Sequence, residues 1–136
     1  MTYDILDKST EFSRDFEVDP KLTEGVNKKT LLNKTIDFLH EELNETNQAI
    51  KDNNLPEMID GFGDVAFVAL NGIYKIFRLE GYAHILALEK SREVMRRICE
   101  ANLGKKQTDG SIKYLNGKVQ KPANWSAPIY DDLLES

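Results

Sequence analysis

Two short acidic clusters carry the chemistry legible in this chain. Glu41-Glu42-Leu43-Asn44-Glu45 lies in one segment of helical periodicity, and Asp60-Gly61-Phe62-Gly63-Asp64 lies in the next. Residues three or four apart on a helix share a face, so Glu42 converges with Glu45 and Asp60 with Asp64. Two such helices side by side bring four carboxylates to one point. Carboxylates that close repel unless a cation sits among them, and a hard cation with oxygen ligands suits such a cluster. The spacing predicts a magnesium site, and phosphate chemistry with it.

A solvated helix face is the ordinary explanation for Glu41, Glu42 and Glu45 taken alone. Asp64 resists that explanation. It directly precedes six apolar residues, Val65 to Leu70, and a buried, unpaired carboxylate is costly. Lys75 and Arg78, the cations on the same segment, lie about three or four turns away. Asp60 shares the face of Asp64 one turn earlier, which favours a metal over an isolated ion pair. Glu57 stands near the helix start, where an acid complements the dipole, and reads as a helix-start charge rather than a ligand.

The elements that must position these acids are helices. Leu6, Phe12 and Phe16 suggest a short amphipathic helix ending before Asp19-Pro20. Thr30 is a credible N-cap for a helix running to about Asn53, with Leu32, Ile36, Leu39, Leu43 and Ile50 as its apolar stripe. Pro56 suits the first turn of a helix to about Leu79. Because that helix is apolar all round from Val65 to Leu70, it must be buried by its own domain or by a partner subunit. Gly61, Gly63 and Gly72 each cost roughly 1 kcal/mol of helix propensity and make sense where a backbone or ligand approaches closely.

A fourth helix spans about Ala83 to Asn102, with Ile85, Leu88, Val94 (or Met95) and Ile98 inward. Gly81 and Gly104 mark helix ends. Asn116-Gly117 signals a two-residue hairpin, and a last turn falls at Tyr130 to Leu134. The expected fold is all-α: four or more helices with a short C-terminal hairpin or irregular tail.

Length and composition bound the rest. At 136 residues the chain reads as one domain, 1–136, with 40% hydrophobic and 30% charged residues. A formal charge of −5 argues against a general nucleic-acid binder. No apolar run approaches the roughly 20 residues of a membrane span, and the first 16 residues lack the order of a signal peptide. One cysteine, Cys99, permits no internal disulfide and fits a reducing cytoplasm. It reads as a buried structural thiol. His40 and His84 read as structural, and neither a Walker-type loop, a zinc spacing nor a nucleophile elbow is present.

The order Glu-Glu-x-x-Glu, then Asp-x-x-x-Asp opening an apolar helix, resembles the all-α nucleotide pyrophosphohydrolases. That superfamily includes MazG-type enzymes, dimeric dUTPases and phosphoribosyl-ATP pyrophosphohydrolases. The small phosphoribosyl-ATP pyrophosphohydrolase-like proteins are similar over most of the chain. Phe12…Phe16, Glu41–Glu45, Asp60-Gly-Phe-Gly-Asp64, Asn102-Leu-Gly-Lys105, Gly117-Lys118…Lys121-Pro122 and Trp125-Ser-x-Pro128 carry the likeness. The resemblance implies a homodimer or homotetramer in which Glu42, Glu45 and Asp64 bind magnesium, with manganese as an alternative. Asp60 departs from the pattern: MazG-type sequences place a glutamate where this chain has Gly61, although Asp60 faces the same way.

By the same resemblance, Asn102 and Lys105 face the nucleotide phosphates; without it they read as a polar helix end. Lys118 and Lys121 either reach phosphate or stand in a solvated loop. Glu41 and Glu45 are the catalytic candidates, Glu41 as a ligand or as the base that orients water. Trp125 either stacks on a base or clamps onto the bundle, and the clamp is the simpler role. The implied activity is magnesium-dependent hydrolysis of a nucleoside triphosphate to the monophosphate and pyrophosphate. Alternatives are a phosphoribosyl-ATP or other nucleotide-derivative hydrolase on the same site, and a non-catalytic helical binding module.

Overall fold

The computed structural model describes residues 2–18 and 25–135. Among them are four α-helices: α1 Ile5–Phe16, α2 Lys28–Lys51, α3 Leu55–Leu79 and α4 His84–Leu103. A two-stranded antiparallel hairpin, β1 Lys113–Leu115 and β2 Lys118–Gln120, and a 3₁₀ turn at Asp131–Leu134 follow. The all-α expectation holds, hairpin included. The break at Asp19-Pro20 lies outside the described residues. No helix among the described residues is long and apolar enough to cross a membrane.

Local chemistry explains the helix starts. Asp4, Asn27 and Asn54 are N-caps whose side-chain oxygens accept from Asp7, Thr30 and Glu57 backbone N–H groups. Thr30 is therefore not the cap of α2. Asn27 Oδ1 accepts from both the Thr30 N–H (2.8 Å) and its hydroxyl (2.9 Å), so the helix begins three residues earlier. Pro56 sits in the first turn of α3, where a missing N–H costs no helical hydrogen bond.

The chain divides into two compact units, Met1–Ser91 and Arg92–Ser136, with the boundary inside α4. In the first, α2 and α3 form an antiparallel helical hairpin. A Cβ placed on Gly61 would overlap the Thr46 hydroxyl, and one on Gly72 would come 3.3 Å from Thr35 Cγ2. Thr46 and Thr35 are both buried, and Thr46 returns its hydroxyl to the Glu42 carbonyl (2.6 Å). Gly63, by contrast, faces open space. The expectation of close approach holds at Gly61 and, more loosely, Gly72, but not at Gly63.

Helix α1 lies along α3 in the same direction. The Ser13 N–H donates to Asn71 Oδ1 (3.2 Å), Phe12 meets Phe67 edge to face, and Lys75 Nζ bonds Glu17 Oε2 (2.9 Å). Tyr74 is fully buried; its hydroxyl meets His84 Nδ1 and accepts from Arg78 Nη1, each at 2.8 Å. Arg14 stands 3.3 Å from His84 Nε2. Burial, then the charges of Arg14 and Arg78, hold the His84 pKa below its ordinary 6.5.

Several apolar positions expected inside are outside. Ile36, Leu43 and Ile50 of the α2 stripe are about half exposed, and Ile85 is 66% exposed. On α3, Ala66 and Ala69 are exposed, as are Ile59 and Phe62. The first unit thus does not enclose α3 by itself. The segment is helical as its period predicts, but α2 buries the face carrying Thr35, Thr46 and Ala49, because small side chains allow the closer helix contact.

In the second unit, Asn116 (φ 51°) and Gly117 (φ 76°) make the hairpin turn, pairing Leu115 with Lys118. Arg97 grips Asp132 through two hydrogen bonds (2.7 and 2.8 Å) and also donates to the Ile129 carbonyl. Hydrogen bonds from Arg96 and Arg97 hold the Glu93 carboxyl down to about 2. Cys99 is exposed, against the expectation of a buried thiol.

Two outcomes test this framework. Gly61→Ala should lower unfolding free energy by about 1–3 kcal/mol through overpacking, whereas Gly63→Ala should raise it by up to about 1 kcal/mol; denaturant melts of both variants decide. Since His84 is held neutral in the fold, its contribution is present above its unfolded pKa of ~6.5 and lost as pH falls through the lower folded value. Thermal melts between pH 7 and 5 should show His84→Gln losing less stability on acidification than the wild type.

Candidate functional site

The antiparallel register of α2 and α3 decides which acids meet. With Thr46 against Gly61, Glu42 one turn back on α2 faces Asp64 nearly one turn on along α3. Asp64 is the charged neighbour that bears most strongly on Glu42. Burial first, then the charge of Asp64, then Glu45, the Asp64 hydrogen bond and Asp60, hold the Glu42 carboxyl above its ordinary range. Three of the acids singled out by spacing, Asp64, Glu45 and Asp60, therefore bear electrostatically on the fourth, Glu42.

They are not equivalent. Glu42 and Asp64 are half-buried, while Glu45 and Asp60 are exposed. Glu42 Oε2 is buried with no hydrogen-bond partner, an orphaned acceptor that a proton or a cation would satisfy. Among the described residues, no three His, Cys, Asp or Glu side chains are gathered as a ready ion-holding group. Glu41 is exposed; adjacent positions on a helix diverge by about 100°, so it leaves the face of Glu42. Gly61, where MazG-type sequences carry glutamate, is occupied with contacting Thr46, and a longer side chain there would part the helices.

A cavity of about 300 Å³ opens beside the acid pair. Glu42 and Asp64 form one part of its lining, and Phe12, Phe38 and Phe67 supply aromatic wall. Asn71, Lys75 and Glu17 also line it. Sequence reasoning missed Glu17, Asn71 and Lys75. A signal existed: Lys75 interrupts an apolar stretch, and a lysine there needs an acidic partner. Its distance along α3 from Asp64 hid the partner, which lies on α1.

The other predicted residues lie in the second unit. Lys105 Nζ donates to Asn102 Oδ1 (2.8 Å), and Asn102 Nδ2 returns to the Ile98 carbonyl (2.9 Å). The Trp125 indole N–H donates to the Ala101 carbonyl (2.6 Å), so the tail aromatic clamps the end of α4. Lys105 and Lys121 stand over its ring, at 5.7 and 4.5 Å from the centroid. Lys118 is exposed at the hairpin. Of the histidines, His40 is exposed and His84 belongs to the Tyr74 network.

No family model, curated protein or solved structure matches this chain. The functional reading therefore rests on the residues themselves.

The crowding of Glu42 has a measurable sign. A carboxyl whose folded pKa is raised contributes stability below its unfolded pKa, and that contribution is lost as pH rises through the folded value. In chelator, Glu42→Gln should melt a few degrees above wild type at pH 8, and the gap should close by pH 4. A wild-type advantage at pH 8 would mean that Glu42 is favourably paired.

Proposed function

We propose that this chain is a magnesium-dependent nucleotide pyrophosphohydrolase, splitting a nucleoside triphosphate into monophosphate and pyrophosphate. The observation that carries the reading is the buried, partnerless Glu42 oxygen set against Asp64 at the edge of an aromatic-walled cavity. Such a donor set fits a hard divalent cation: charged oxygens only, in mutual repulsion, with room for a substrate's own oxygens. Glu42 and Asp64 would hold it, with Glu45 and Asp60 one turn away on the same two faces. Bound there, magnesium would neutralise phosphate charge and favour water as a nucleophile at neutral pH.

The chain's own groups supply the rest. Water attacks the α-phosphorus, the bond to the α–β bridging oxygen breaks, and pyrophosphate leaves. Glu45, one turn from Glu42 on the same helix, takes the water's proton as general base. The resemblance to the all-α pyrophosphohydrolases implies phosphate binding by Asn102 and Lys105 of the second unit, and Lys118 and Lys121 of that unit carry charge of the sign such a role needs. The exposed Leu43, Ile50, Ile59 and Phe62 support a homodimer or homotetramer, since apolar residues left open on α2 and α3 gain by mutual burial.

A panel of ribo- and deoxynucleoside triphosphates should give magnesium-dependent pyrophosphate rather than orthophosphate. Asp64→Asn should lower kcat/KM on the order of 100-fold or more, the scale of removing one charge-stabilising group. Magnesium should also raise the melting temperature of the wild type and not of Asp64→Asn. Absence of both responses would leave a helical binding module as the better reading.

A further inference from the structure

The cavity beside the acids holds a second polar group that the proposed hydrolysis does not use. Lys75 is 3% exposed and Glu17 is 19% exposed, and they are paired at 2.9 Å. An ammonium has three N–H donors. One of Lys75's goes to Glu17 Oε2, and the other two have no acceptor among the described residues. An occupant of the cavity that brought an acceptor could take one of these N–H groups.

The neighbouring groups sharpen the demand. Asn71 is 2% exposed. Its Oδ1 is taken by the Ser13 N–H, and its Nδ2 gives one hydrogen to the Phe67 carbonyl, leaving a second donor. Glu17 accepts the Ser13 hydroxyl at Oε1 (2.6 Å) and Lys75 at Oε2, and its remaining lone pairs can take one more N–H. Donors are therefore in excess among these buried polar groups, and one of them is cationic. Phe12, Phe38 and Phe67 wall the same space, which suits a flat ring.

We infer that this cavity is a heterocycle pocket selective for bases with a carbonyl at the inner edge, read by Lys75 with Glu17 accepting the adjacent ring N–H. Uracil, thymine, hypoxanthine and guanine present that edge. Cytosine and adenine present an amino group there, which would turn a donor onto a buried ammonium. The inference rests on the proposed function in one respect, that Glu42 and Asp64 mark the phosphate end of the same ligand.

The test uses substrate pairs differing only at this edge: UTP against CTP, and ITP against ATP, in magnesium. The carbonyl member of each pair should have the higher kcat/KM by at least about tenfold, as expected when a wrong partner leaves buried polar groups unpaired. In the variant carrying Glu17→Gln and Lys75→Met together, which removes both charges rather than stranding one, the ratio should fall towards one while the magnesium-induced rise in melting temperature persists. Should that variant not fold, the wild-type ratios still decide. Equal rates within both pairs would overturn the inference and leave the hydrolase reading intact. A second arm needs no catalysis: calorimetric binding of UMP against CMP, and IMP against AMP, in chelator. If no triphosphate is hydrolysed but UMP and IMP bind more tightly, the pocket stands and the hydrolase reading falls. If no triphosphate is hydrolysed and no monophosphate preference is measurable, the inference is overturned.

Discussion

Helices α2 and α3 approach most closely where Thr46 of one meets Gly61 of the other, and no side chain larger than hydrogen fits at position 61. That contact sets the distance and the register of the helical hairpin. With the register given, Glu42 faces Asp64 and Thr35 falls beside Gly72. A glutamate at 61 would supply one more acid but would push the helices apart and dissolve the Glu42–Asp64 pairing. Asp60, one residue earlier, leaves that contact free.

This arrangement sets local stability against the site. Two facing carboxyls that raise the Glu42 pKa, one with a buried partnerless oxygen, are unfavourable for the cation-free fold. Functional groups commonly sit where local consistency breaks, and here the break is electrostatic. A second inconsistency is apolar: α3 leaves Ile59 and Phe62 open, and α2 leaves Leu43 and Ile50 open. Both are what a chain would show if a bound cation and a partner subunit completed it.

Much of the fold was legible because it is decided within a few residues. The Asn116-Gly117 turn needs positive φ at two successive positions, and Asn-Gly adopts that readily, so the hairpin could be read directly. Pro56 and Gly81 bounded α3 for similar reasons of backbone conformation. The acids on α2 and α3 were legible because helical periodicity puts i, i+3 and i+4 on one face whatever the partner. Thr30 misled because two capping residues, Asn27 and Thr30, stand three apart and the amide reaches both of Thr30's donors. Ile85 and Cys99 misled for a different reason. Periodicity identifies faces of a helix, but it does not say which neighbour covers them.

By itself the sequence determined the helices, the hairpin and the candidate acids, because capping, turn chemistry and the 3.6-residue period are properties of neighbouring residues. Only the tertiary structure decided that Glu42 and Asp64 are the close pair, since that follows from the register set at Thr46 and Gly61. It alone showed that Lys75 answers Glu17 across 58 positions rather than Asp64 on its own helix. Which charges meet inside a protein depends on helix packing, and helix packing depends on side-chain shape along two elements at once.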